Sequence, residues 1–219
     1  MHAFLFLAFP MALIWYCTTN SKYEVKNFIA PLLMGFLISA AVCTFKDFFT
    51  FSSHTWTENS FVTFLKLFFA ESFFPVVIVS ALFFFFSNND TEYKTSSEFP
   101  LIAAFYAVFI PYVVMTGEHR ETFTIIAKPL SYLALTFALT AFLSLSHFAL
   151  QDKNKKLTVF MIISSFLSLI VPPLLETIWY YGANSIFMCV IAFILFSLSA
   201  FFYFIVRKTH IRQPIFMSM

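Results

Sequence analysis

The chain of 219 residues is 60% hydrophobic and only 11% charged, with a mean hydropathy of +0.85. Soluble domains carry roughly 25% charged residues, so there is too little polar surface here for a water-facing fold; hydrocarbon must be the solvent, and the backbone must close its own hydrogen bonds. A net charge of +2 is too small to imply a nucleic-acid partner, and no glycine-rich phosphate loop occurs.

Seven apolar stretches predict an all-α, polytopic integral membrane protein, a bundle of about seven transmembrane helices. They form one transmembrane domain over residues 1–206, with a short cytoplasmic tail over 207–219. The first stretch, 2–18, has the length of a signal peptide. It lacks a basic leader and a small-x-small cleavage site, and is read as a retained helix. The second, 28–45, ends at Lys46 and Asp47. The third, 61–86, carries Glu71 inside an apolar run, Pro75 four residues later, and the run Phe83 to Phe86, read as contacts with acyl chains. The fourth, 99–116, contains Pro111 and leads into Glu118 and His119. The fifth, 124–150, offers Ala134, Ala138 and Ala141 for close helix crossings; with only 3 glycines in the chain, Ala and Ser are expected to serve there. The sixth, 157–178, places Pro172 and Pro173 four and three residues before Glu176, and is followed by Trp179, Tyr180 and Tyr181 as an interfacial aromatic belt. The seventh, 185–206, has no lysine, which argues against a retinal Schiff base.

Basic residues sort between the gaps. Lys22, Lys26, Lys94, Lys153, Lys155, Lys156, Arg207, Lys208 and Arg212 fall on one side; Lys46, Lys66, Arg120 and Lys128 fall on the other. The richer side is expected to be cytoplasmic, with the N-terminus outside and the C-terminus inside. A multi-pass protein of a bacterial inner membrane suits this pattern. Cys17, Cys43 and Cys189 lie in or beside apolar stretches, with no paired spacing for a disulfide framework or a zinc site.

Ionisable residues within a span are costly, so they are the first functional candidates. Glu71, Glu176, Glu118, His119 and Asp47 all fall toward the outer side. Pro75, Pro111, Pro172 and Pro173 lie deeper than their neighbouring carboxylates, as expected helix kinks. A proline removes a backbone donor and frees a carbonyl one turn back, and kinked helices with freed carbonyls frame many transporter sites. The Glu/Pro pairings of the third and sixth stretches run in opposite chain directions, a weak hint of an inverted repeat. Glu71 has a second reading, as an ion-pair partner of Lys46, Lys66 or Lys128 that ties the bundle together. His147 reads as an interfacial histidine or as a proton relay. No HExxH or HxxxH spacing marks a metal site, and no cofactor is expected.

Three functions follow in order of expectation. The first is transport or binding of a small solute or ion in an outward-facing polar vestibule, where carboxylates favour a cationic solute or a proton-coupled cycle. The second is a non-catalytic subunit of a multi-subunit membrane complex, with Lys153–Lys156 and the acidic Asp90, Glu92 and Glu98 available to cytoplasmic partners. The third is an intramembrane enzyme acting on a lipid-linked substrate, with a carboxylate pair as acid and base and His119 as an alternative base. The implied partners are membrane lipids, other membrane subunits and the small solute or ion.

Overall fold

The computed structural model describes residues 25–48, 59–86, 91–116 and 121–208. The stretch 2–18, Glu118 and His119 lie outside the described residues, and the side chains of Asp47 and of Phe83 to Phe86 are likewise not described. The helices are α1 (Val25–Phe48), α2 (Ser60–Leu67), α3 (Phe74–Phe86), α4 (Thr91–Thr116), α5 (Lys128–Gln151), α6 (Lys155–Ser168), α7 (Val171–Tyr180) and α8 (Ser185–Val206). A π-helical segment, Phe68–Phe73, joins α2 to α3, and a second, Phe123–Ala127, leads into α5. Among the described residues, six helical stretches are long and apolar enough to cross a membrane, so the protein is a multi-pass helical membrane protein.

Polarity inside the spans decides which helices take the centre. Within their apolar windows α4 is 78% buried and the stretch containing α5 is 67% buried; the other four lie between 17% and 33%. The central pair holds most of the buried polar side chains: Ser97 and Glu98 on α4, and Lys128, Ser131, Thr136, Thr140, Ser144 and His147 on α5. Lipid cannot satisfy such groups, so the helices that carry them turn those faces against protein. The outer helices show their phenylalanines to lipid instead, among them Phe61, Phe160, Phe187 and Phe201.

Close packing of α1 on α4 depends on Gly35. A Cβ at this position would press into the Leu101 carbonyl oxygen and lie 2.9 Å from Ala104 Cβ. One of the three glycines therefore makes the α1–α4 crossing, where the sequence pointed to Ala and Ser alone. Aromatic side chains knit the centre to α8: Phe99 stacks on Tyr203 at 4.9 Å, and Tyr203 meets Phe137 at 5.3 Å. At the opposite end Phe123 stacks on Trp179 at 4.6 Å.

Asparagines start three helices. Asn59 caps α2, Asn154 caps α6 and Asn184 caps α8 with a side-chain oxygen accepting from backbone N–H groups. Gly182, with φ of 113°, takes the left-handed conformation that turns the chain from α7 into α8. Asn184 accepts from the N–H groups of Ile186 at 2.8 Å and Phe187 at 3.4 Å. Asn184→Ala is expected to cost about 1 kcal/mol, read as a lower unfolding midpoint in detergent with the helix content unchanged.

Three helix interruptions position the site. In the first π segment the wide turn bonds Phe74 N–H to the Phe69 carbonyl, and Pro75 follows. In the second the same register bonds Lys128 N–H to the Phe123 carbonyl, and Pro129 follows. Between α6 and α7 the N–H groups of Leu169 and Ile170 reach back three residues to Phe166 and Leu167, just before Pro172 and Pro173. Each proline lacks an N–H and crowds the carbonyl four residues back; widening or breaking the turn relieves that clash. Pro111 sits inside α4, which is helical from Thr91 to Thr116.

Candidate functional site: a buried ionic centre

Lys128 projects between two carboxylates. Its Nζ lies 2.7 Å from Glu176 Oε1 and 3.0 Å from Glu71 Oε2. Lys46 approaches the other oxygen of Glu71 at 3.3 Å. The Tyr132 hydroxyl donates to Glu71 Oε2 at 2.9 Å. Four parts of the chain thus meet: α1 through Lys46, the first π segment through Glu71, α5 through Lys128 and Tyr132, and α7 through Glu176. Side-chain exposure is 4% for Lys128, 7% for Glu176, 12% for Glu71 and 14% for Lys46. The ammonium of Lys46 also lies 5.7 Å from the Tyr112 ring and 5.9 Å from Phe109, a cation–π arrangement at its outer edge.

Removing such charges from water costs several kcal/mol per ion, and only close, well-paired opposites repay it. Two cations and two anions make the centre neutral overall. Two of its three innermost members sit at or beside irregular backbone, and the third follows a helix break. Glu71 lies within a π segment, Lys128 directly follows one, and Glu176 lies six residues beyond the break at Ile170. π segments make up well under 1% of residues in proteins and are frequent at functional sites. Two of them flanking one ion pair is the most specific feature of this fold.

The sequence singled out Glu71 and Glu176, and they share one lysine. Of the three lysines weighed as partners of Glu71, Lys46 and Lys128 take that place. Asp47 lies in the last turn of α1, next to Lys46. The sequence places Lys128 both among the orientation charges and among the partners open to Glu71, and does not single out Tyr132. The signal for Lys128 was available: a lysine within the fifth apolar stretch, directly before a proline.

A second buried pair lies at the other end of the central helices. His147 Nε2 is 2.7 Å from Glu98 Oε1, and Ser144 Oγ donates to Glu98 Oε2 at 2.9 Å. The sequence reads Glu98 as a loop acid open to cytoplasmic partners; it is instead 2% exposed. The apolar run that begins at Phe99 carries this residue inside with it. Among the described residues, no group of three or more His, Cys, Asp or Glu is placed to hold a metal ion.

An open cavity of about 550 Å³ lies at the turn between α7 and α8, lined by Glu121, Trp179, Tyr180, Asn184 and Ser185 among others. Trp179 and Tyr180 stand one turn beyond Glu176 on α7, so the opening sits about one helical turn, roughly 5 Å along the axis, above the buried carboxylate. Trp179 is fixed by its stack on Phe123 and by a 2.9 Å bond from Nε1 to Ser185 Oγ. No protein-family model, curated protein or solved structure matches the chain.

Proposed function

We propose that this is a transport protein for a small cationic solute or ion, and that the Glu71–Lys128–Glu176 centre is its binding and coupling site. The observation that carries the reading is one ammonium shared by two buried carboxylates, Glu71 within a π segment and Glu176 in the helix that follows a break. Lys128 occupies the place a cation would take. A cation arriving from the cavity beside Trp179 competes with Lys128 for Glu176, and Lys128 then shifts wholly onto Glu71. Such an exchange moves charge between two arrangements of similar energy, and the π turns and the break at Leu169–Ile170 give the helices room to follow. The end bearing Lys153, Lys155, Lys156 and Arg207 is taken as cytoplasmic, so the ionic centre opens outward.

A second reading, a non-catalytic subunit of a membrane assembly, draws on one observation: two cations balance two anions, so the centre is complete as a tie between helices. Flux separates the two. Proteoliposomes holding the purified protein are offered radiolabelled sodium, rubidium and methylammonium. The transport reading expects accumulation of at least one of them above empty vesicles, and its loss in Glu71→Gln with helix content retained. Undiminished uptake in a folded Glu71→Gln protein would assign the centre to structure.

A further inference from the structure

We propose that the ion coupled to this centre is the proton, and that it crosses the bundle between the Glu71–Lys128–Glu176 network and the Glu98–His147 pair by way of Tyr132 and Tyr106. The inference rests on the transport reading above and specifies its ion.

Polar residues run the length of α5 at a spacing of four: Lys128, Tyr132, Thr136, Thr140 and Ser144, with His147 three further on. The first five are each 3% exposed or less. Each step of four advances about 40° around a helix, so the stripe winds from the side facing α7, where Lys128 meets Glu176, to the side facing α4, where Ser144 meets Glu98. It links the two buried ionic groups of the described chain. Thr136 and Thr140 donate to the carbonyls of Tyr132 and Thr136, which leaves their oxygen lone pairs as acceptors.

Tyr106 on α4 supplies an independent observation. Its ring lies 5.9 Å from that of Tyr132, it is 1% exposed, and its hydroxyl has no hydrogen-bond partner among the described residues. A buried hydroxyl without a partner is destabilising, so fold stability alone does not account for it. Ser72, beside Glu71, has a buried hydroxyl in the same condition. Tyr106 faces a small cavity of about 10 Å³, lined by Val76, Val79, Ser80, Leu139 and Leu143 among others. That is room for about one water. Its walls are mostly apolar, and mostly apolar constrictions gate by wetting.

The size of this cavity favours the proton as the coupled ion. A metal cation needs several oxygen ligands or its water shell, and neither fits where one water fits. A proton needs only groups that accept and release it in turn. On the network side those groups are Glu71, Glu176 and Tyr132, with Lys46 and Lys128 as the facing cations. On the other side they are Glu98 and His147, with Ser144 beside them. A proton bound by Glu71 breaks its bridge to Lys128. Tyr132 takes that proton as it yields its own toward the cavity. A water there, together with the Tyr106 hydroxyl, passes a proton on to Glu98–His147, which releases one to the far side. Each hydroxyl then turns back, Tyr132 to Glu71, and one proton has crossed.

Vesicles loaded with pyranine, with the potential clamped by potassium and valinomycin, report the proton flux under an imposed pH gradient. The wild-type protein is expected to conduct above empty vesicles. Tyr106→Phe keeps the ring and removes only the unpartnered hydroxyl. It is expected to unfold no earlier than wild type, and to slow the flux by roughly a hundredfold, the lower range for a positioned proton carrier. Glu98→Gln is expected to slow it likewise. Wild-type flux in Tyr106→Phe overturns the path. Uptake of labelled cations with no proton flux in the wild type overturns the inference and leaves the transport reading standing. Absence of both fluxes overturns the two together.

Discussion

Lys128→Met is expected to destabilise the protein by about 3–5 kcal/mol, the cost of breaking a buried ion pair from one side. Methionine fits the volume and suits a helix, so the loss comes from the charges left behind. Glu71 keeps Lys46 at 3.3 Å and the Tyr132 hydroxyl at 2.9 Å. Glu176 keeps no cation: its bridge among the described residues comes from Lys128. Adding Glu176→Gln to Lys128→Met removes the stranded charge and is expected to restore most of the stability. Denaturant titration in detergent, with wild type, single and double variants compared, checks both parts. A single variant as stable as wild type would mean that water already reaches Glu176.

The other large effect is expected at Gly35, for steric reasons. The backbone of α1 touches that of α4 there, and the space a Cβ needs is filled by the Leu101 carbonyl and the Ala104 methyl. Backbone cannot step aside as a flexible side chain can. Gly35→Val is expected to cost about 3 kcal/mol, the upper part of the usual overpacking range, and to separate α1 from α4; Gly35→Ala should follow in the same direction and by less. A disulfide-trapping or cross-linking pair across this contact reports the separation directly. Unchanged cross-linking and unfolding in Gly35→Val would show that the two helices do not meet as described.

Hydropathy carried most of the fold. Each apolar stretch that falls on described residues appears as a helical span, because a span must be long and apolar whatever its neighbours are. Glu71 was legible for the same reason: a carboxylate flanked by apolar residues on both sides needs a partner. The form a proline takes was not legible: Pro75 follows a wide turn, as does Pro129, which the sequence reading leaves out; Pro172 and Pro173 follow a break, and Pro111 sits inside continuous α4. Which of these occurs depends on packing around the clash, and local sequence does not record that packing. The depth of burial of Lys128 and Glu98 is not legible because charges near the ends of spans ordinarily anchor a helix at the interface; only the position of α4 and α5 at the centre of the bundle turns them inward. The polar stripe on α5 is visible as a spacing of four, yet its meaning requires knowing that this face of the helix is buried in the bundle.

The central claim is that the buried ionic centre exchanges partners to move a cation, beyond holding helices together. The direct test is flux through the Lys128→Met, Glu176→Gln double variant. It loses one positive and one negative charge and leaves the Lys46–Glu71 pair in place. The account predicts a folded protein, close to wild type in unfolding midpoint, that carries neither labelled cations nor protons above empty vesicles. Wild-type flux through that folded double variant would contradict it and leave the centre as a structural tie.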